Sequence, residues 1–307
     1  MNAVIESHRI PSGFGPLHIA VWRQRPAKPN GKPPVLYIHG ATFGAALAVG
    51  HRLDDFSWAD DLNRTGFDVW GFDFLGYNQS DRSPEMAQAA DAHAPLGRAP
   101  EAARQIAQVV DFIHTQTGLY KVALLAHSWG NLAAGLYASD HPQRVEKFAM
   151  FAPILRGAGP PAPRLPAWRL VTIEAQWERF NEDLPAGHAR VLSPTHFDRW
   201  AEAYLDSDPA ARKRRPPAVQ VPCGPAADMA AAIGGDLPYD PSRLRCPLRV
   251  MRGTWDHLCT EADVGRFFAE LHSAVPRTHI VVPAATHLMH LEQNRFDLYH
   301  ATREFFS

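Results

Sequence analysis

The chain has 307 residues, 46% of them hydrophobic, and its 31 Lys and Arg against 32 Asp and Glu leave a formal charge of -1. That is enough apolar material for a sizeable core, in one large domain or two ordinary ones, and it leaves no global field to attract nucleic acid or an anionic membrane. No apolar run approaches the roughly 20 residues of a bilayer span, and the opening MNAVIESHRIPSG lacks the basic end and apolar stretch of a signal peptide, so a cytoplasmic protein with no membrane span and no nucleic-acid partner is expected.

Short β-branched or apolar runs bounded by Gly and Pro alternate with longer helical patterns, which predicts an α/β fold with a mostly parallel central sheet flanked by helices. Residues 4–9 and 17–23 read as an edge pair of strands joined by the loop PSGFGP. The runs 35–39, 68–72, 122–126 and 148–151 read as the buried centre of the sheet. Helices are predicted over 55–64, 100–117 and 131–139 between them. After Pro153 the rhythm breaks into a Pro-rich stretch holding Trp168, Trp177, Phe180, Phe197, Trp200 and Tyr204. It resumes with a strand at 248–252, a helix near 261–272, a strand at 279–282 and a last helix near 294–305. The expected organisation is therefore one domain, 1–153 and 245–307, split by a mainly helical cap over 154–244.

The three cysteines, Cys223, Cys246 and Cys259, fit no zinc or redox spacing and are expected to be reduced packing residues. The 16 histidines form no HExxH or equivalent ligand set, so neither a metal nor another cofactor is expected. The chemistry instead gathers at residues 123–131, Ala-Leu-Leu-Ala-His-Ser-Trp-Gly-Asn, where a buried strand runs directly into a small-residue helix. Ser128 stands at that turn, with small residues two before (Ala126) and two after (Gly130), as a strained G-x-S-x-G elbow requires. A serine hydroxyl is a weak nucleophile until a base takes its proton and a third group orients the base.

On these residues the chain resembles the α/β-hydrolase superfamily over nearly its whole length apart from the cap. Val-Leu-Tyr-Ile-His-Gly, 35–40, is similar to the strand that places an oxyanion-hole amide. The resemblance implies the backbone N–H groups of Ala41 and Trp129 as donors, with Thr42 as the fallback, each worth about 3 kcal/mol. Asp73-Phe-Leu-Gly-Tyr-Asn-Gln-Ser80 resembles a D-x-x-G-x-G-x-S loop in which Asn78 replaces Gly; Asn enters left-handed backbone at low cost. Arg-Val-Met-Arg-Gly-Thr-Trp-Asp256 matches the acid-bearing loop, and Val-Val-Pro-Ala-Ala-Thr-His287-Leu-Met-His-Leu-Glu the G-H-x-x-x-x-E segment of the base, with Thr286 in place of Gly. The order Ser128, Asp256, His287 is that of the family. His290 and Asp263 are the rivals, read as structural residues of the helices that follow. His127 is read as supporting the elbow or lining the pocket.

The resemblance implies a hydrolase acting on a small molecule through an acyl-enzyme on Ser128, since haloalkane dehalogenases and epoxide hydrolases of the superfamily carry Asp at the elbow. A carboxylic ester or thioester is the leading expectation, with activity rising as His287 loses its proton near about 6.5. Trp168 and Trp177 are candidates to line the acyl site. Glu174 could hold a substrate amine, which would suit an amide or peptide hydrolase resembling proline iminopeptidases; a solvated carboxylate is the plainer reading of it. An acyltransferase or lyase could use the same three residues, and a non-catalytic binding protein could share the fold without needing all of them. Arg212-Lys213-Arg214-Arg215 reads as an exposed loop, or more sharply as a contact for a carrier protein, and a homodimer is left open.

Overall fold

The computed structural model describes residues 4–160 and 164–307. Strand β1 (Val4–Pro11) pairs antiparallel with β2 (His18–Arg25), from Val4 opposite Arg25 to Pro11 opposite His18. The next strands, β3 (Val35–Ile38), β4 (Val69–Phe72) and β5 (Val122–His127), are buried at every position, as strands covered on both faces must be. β6 (Val145–Phe151) is buried over its last four residues.

Helix α1 (Trp58–Arg64) begins later than residue 55 because Asp54 and Asp55 have φ of 53° and 60°, outside the helical region. The start is set by Ser57, which exchanges hydrogen bonds with Asp60 in a capping box. Helix α2 (Ala99–Thr117) turns Ile106, Val109, Val110 and Ile113 inward, and α3 (Gly130–Asp140), rich in small side chains, is almost wholly buried.

Residues 152–247 add no strand to this sheet among the described residues. They carry β7 (Trp168–Thr172), α4 (Ile173–Asn181), α5 (Pro194–Asp206), β8 (Ala218–Pro222) and α6 (Gly224–Ile233). The stretch is mainly helical, with one addition the sequence reading lacks: β7 and β8 pair antiparallel from Trp168 opposite Pro222 to Thr172 opposite Ala218. Each is five residues long, and the partner lies far along the chain, so neither announces itself locally. The core then resumes with β9 (Leu248–Gly253), α7 (Glu261–Glu270), β10 (Arg277–Val282) and α8 (Arg295–Phe306).

The eight-stranded order is β1-β2-β4-β3-β5-β6-β9-β10, parallel from β4 onward. The connection β3–α1–β4 steps one way along the sheet, while β4–α2–β5 and β5–α3–β6 step back. With right-handed crossovers, α1 therefore covers one face and α2 and α3 the other. The order reverses at β3, so the loops after β3 and β5 diverge there and leave a crevice at the carboxyl ends of the strands. Ala41 follows β3 and Ser128 follows β5, which puts both at that crevice. No helix among the described residues is long and apolar enough to cross a membrane.

Candidate active site

Ser128 has φ of 52°, a conformation that costs a non-glycine residue free energy and lifts its side chain out of the strand-to-helix turn. The turn closes tightly on β3. A Cβ added at Gly130 would lie 2.5 Å from the carbonyl oxygen of His39 and 2.8 Å from that of Ile38. Asn131 secures the elbow from behind, its amide donating to the carbonyls of Ala126 (3.1 Å) and Ser128 (3.2 Å).

The Ser128 hydroxyl donates to His287 Nε2 at 2.8 Å. His287 Nδ1–H, in the tautomer this requires, donates to Asp256 at 3.0 and 3.1 Å to its two oxygens. Asp256 Oδ1 also accepts the N–H groups of Leu258 (3.0 Å) and Cys259 (3.2 Å), which hold the carboxylate in place. Ser128, Asp256 and His287 are all buried. Burial, the largest influence, lowers the pKa of His287 from its ordinary 6.5; the charge and hydrogen bond of Asp256 act against it, and Arg179 adds to it.

Thr286 supplies what a glycine could not. Its hydroxyl donates to Glu292, its N–H donates to the other carboxyl oxygen of Glu292 at 3.1 Å, and the hydroxyl accepts the N–H of Leu288 at 3.1 Å. Burial raises Glu292 to about 7. His290 lies in a single turn (Met289–Leu291) before α8, not within the helix, and neither of its ring nitrogens is hydrogen-bonded among the described residues. Its ring packs 4.7 Å from that of His127 and 5.0 Å from Phe151. Asp263 caps α7 through Thr260 and pairs with Arg266.

On the opposite side of the serine, His39 Nδ1–H donates to the Gly40 carbonyl at 2.7 Å, and its Nε2 accepts the N–H of Phe74 at 3.1 Å. Burial lowers His39 to about 4 and so keeps it neutral. Asn78 has φ of 41° and donates to Asp73, whose carboxyl also accepts the N–H of Ala45 and is raised by burial to about 7.

A cavity of about 330 Å³ opens over Ser128 and His287. Its walls are Gly40, Ala41, Thr42, Phe43 and His127 from the core, Arg169 and Arg179 from β7 and α4, and Ala226, Met229, Ala230 and Ile233 from α6, with Leu288. Wider depressions elsewhere, including one of about 870 Å³ beside Trp22 and His51, do not include Ser128 or His287 among their walls.

The model of the alpha/beta hydrolase fold family matches residues 33–293, a span that takes in the elbow, the acid and the base. The chain belongs to the alpha/beta hydrolase family. No curated protein matches the sequence of this alpha/beta hydrolase. Solved structures do. The 2-hydroxy-6-oxo-6-phenylhexa-2,4-dienoate hydrolase of Rhodococcus sp. strain RHA1 is 17% identical, with a TM-score of 0.66 over 99% of each chain. A thermophilic esterase of Thermogutta terrifontis is 18% identical, with a TM-score of 0.58 over 97% of each chain. A mutant epoxide hydrolase of Vigna radiata is 14% identical, with a TM-score of 0.61 over 98% of each chain. At these identities the likeness is one of fold, and the reactions named differ.

Within this alpha/beta hydrolase, several candidate residues lie outside the cavity wall. The side chain of Trp129 does not line the cavity; its Nε1–H donates to Asp228 of α6 at 3.0 Å. Trp168 donates to the Gln88 carbonyl at 3.1 Å, and Trp177 packs on Phe197 with ring centroids 4.6 Å apart; neither lines the cavity. Glu174 is exposed and likewise outside the cavity wall, the placement of a solvated carboxylate. In the basic run, Arg212 pairs with Glu202 and Asp206, and Arg214 with Asp208, so two of the four charges are neutralised within the chain.

Other contributors carry no local sequence signal. Asp183 accepts the backbone N–H of His287 at 3.0 Å, and Asp228 accepts from Arg98, from the N–H of Ala99 at 2.6 Å and from Trp129. Glu182, Asp183 and His257 bring three ligand-type atoms within 4.8 Å of one another. Those groups are already engaged, Glu182 with Arg179 and Asp183 with His257 and His287.

Proposed function

We propose that this protein is a serine hydrolase that cleaves a carboxylic ester or thioester of a small to medium, partly hydrophobic molecule through an acyl-enzyme on Ser128. The observation that carries the reading is the unbroken chain of hydrogen bonds from Ser128 Oγ to His287 (2.8 Å) and from His287 to Asp256 (3.0 Å) at the floor of the cavity. In the first step Ser128 Oγ bonds to the substrate's carbonyl carbon and its proton passes to His287 Nε2. Asp256 stabilises the resulting imidazolium and keeps the ring in the working tautomer. The carbonyl oxygen becomes an anion, and the backbone N–H groups of Ala41 and Trp129 are the proposed donors to it. Both N–H groups lack an acceptor among the described residues, as does that of Thr42, which keeps its place as the fallback for Ala41. Collapse expels the alcohol or thiol, which takes the proton from His287, and water repeats the sequence to release the acid.

The cavity volume of about 330 Å³ favours a compact acyl group. The insertion between β6 and β9 supplies half of the cavity wall, and we assign it the role of a cap that shapes substrate choice. An aminopeptidase resembling proline iminopeptidases is disfavoured, because the anion it would need for a substrate amine, Glu174, is exposed outside the wall. The decisive measurement is labelling by a fluorophosphonate with wild type, Ser128→Ala and Asp256→Asn, followed by turnover of para-nitrophenyl esters, thioesters and arylamides of graded length. Labelling is expected in wild type and absent in Ser128→Ala. Asp256→Asn should label and turn over about 10⁴-fold more slowly, the scale seen where the orienting acid of such a triad is neutralised. Persistent labelling of Ser128→Ala would remove the assignment.

A further inference from the structure

Resting on the acyl-transfer reading above, the geometry points to a substrate that carries a carboxylate, gripped by Arg169 and Arg179 while Ser128 attacks its ester or thioester carbonyl. Both arginines line the cavity that holds Ser128 and His287, and no carboxylate does so among the described residues. They come from successive elements, β7 and α4, and Arg169 is near enough to act electrostatically on Arg179. Of the acids around them only Glu182 pairs with either arginine among the described residues, and it holds Arg179 from outside the cavity wall. Asp256 serves His287, Leu258 and Cys259, and Asp183 serves His287 N–H and His257. Arg169 has no ion-pair partner among the described residues, and its exposed position puts it toward the mouth.

Two guanidinium groups against one carboxylate therefore leave a net positive charge at the cavity for an entering anion to meet. A guanidinium presents a planar fork of donors that matches a carboxylate with two parallel hydrogen bonds. Burial lowers Arg179 to about 10, which still leaves it charged at neutral pH. The wall made by Ala226, Met229, Ala230 and Ile233 is apolar, so the matching molecule is a short hydrocarbon framework bearing an anion, not a uniformly polar one.

Two pairs of esters test this on the intact protein. One places the charge on the acyl side, para-nitrophenyl hydrogen glutarate against para-nitrophenyl pentanoate. The other places it on the alcohol side, para-carboxyphenyl butanoate against para-carbamoylphenyl butanoate. In at least one pair the anionic member is expected to have a kcat/KM about tenfold or more above its neutral counterpart, the scale of one charged hydrogen bond. Arg169→Gln and Arg179→Gln should each shrink that ratio, and Arg179→Lys should restore part of it. If Arg179→Gln fails to fold, Arg169→Gln at an exposed position of β7 decides. Calorimetric binding of glutarate to Ser128→Ala reads the same recognition without turnover, so it survives even if the acyl-enzyme reading fails. No anionic preference in either pair, or a preference unmoved by Arg169→Gln, overturns the inference.

Discussion

The carboxylate of Asp183, in the loop after α4, accepts the backbone N–H of His287 at 3.0 Å. A residue of the insertion thus holds the main chain of the catalytic loop, and the same carboxylate also binds His257, the neighbour of Asp256. The side chain of Asp183 is almost fully buried, so the N–H it satisfies would be left without a partner if the carboxylate were removed.

Asp183→Ala is therefore expected to lower kcat/KM for a neutral ester by about tenfold, since an orphaned buried donor costs about 1–3 kcal/mol. Asp183→Asn keeps an acceptor oxygen and should recover most of the loss. Comparing both variants by steady-state kinetics and by thermal unfolding separates positioning of the base from a general loss of stability. Equal activity losses in Ala and Asn would argue against the positioning role.

In the proposed mechanism the base is unprotonated His287, whose pKa lies below the ordinary 6.5 because burial and then Arg179 outweigh the pull of Asp256. The rings of His127 and His290 beside it are held neutral by burial as well. This shifts the expectation from the sequence, which put the activity midpoint at an unperturbed imidazole. The acid limb of kcat/KM should have its midpoint below 6.5, the value ascribed to a free imidazole. Arg179→Met removes a positive charge near the ring and should move that midpoint upward. A wild-type midpoint at or above the ordinary value would contradict the buried geometry.

Gly130→Ala places a methyl against two main-chain carbonyls, which cannot swing aside as a flexible side chain could. A loss of about 1–3 kcal/mol in urea unfolding is expected, with activity falling alongside. Ala126→Gly, at the other small position of the elbow, should cost only about 1 kcal/mol and keep activity. If both substitutions were neutral, the close packing of the elbow on β3 would not be what demands smallness.

His290 is buried with neither ring nitrogen hydrogen-bonded among the described residues, and burial lowers it from 6.5 to about 3. As pH falls through the ordinary value the unfolded chain takes up this proton while the folded protein refuses it, so stability drains away between about 6.5 and 3. At about 1.4 kcal/mol per pH unit, His290→Leu should gain about 2 kcal/mol over wild type between pH 8 and pH 5. Melting curves at the two pH values check this; a gap that does not widen on acidification rules it out.

The parts of the site nearest the core are legible in the sequence alone. Ser128 and Asp256 each follow a strand buried throughout, His287 follows the edge strand β10, and the substitutions Asn78 and Thr286 make local sense, the first at φ 41° and the second as a hydroxyl for Glu292. Asp183, Asp228, Arg169 and Arg179 are not legible there. Each acts across a large separation, as Asp228 does on Trp129 from 99 residues away. A Pro-rich stretch with two five-residue strands has no periodicity strong enough to fix which side meets the core.

The sequence by itself therefore determined the family's core sheet and which residues gather at its crevice, because strand burial, turn strain and chain order are written in short segments. Only the tertiary structure decided which charge lines the cavity. Glu174 and Arg179 share helix α4, and at 3.6 residues per turn they point about 140° apart. Both faces of that helix carry polar residues, so nothing local says which one turns inward. Packing of α4 against the core brought Arg179 to the cavity and left Glu174 in solvent, as the plainer reading of that carboxylate had it.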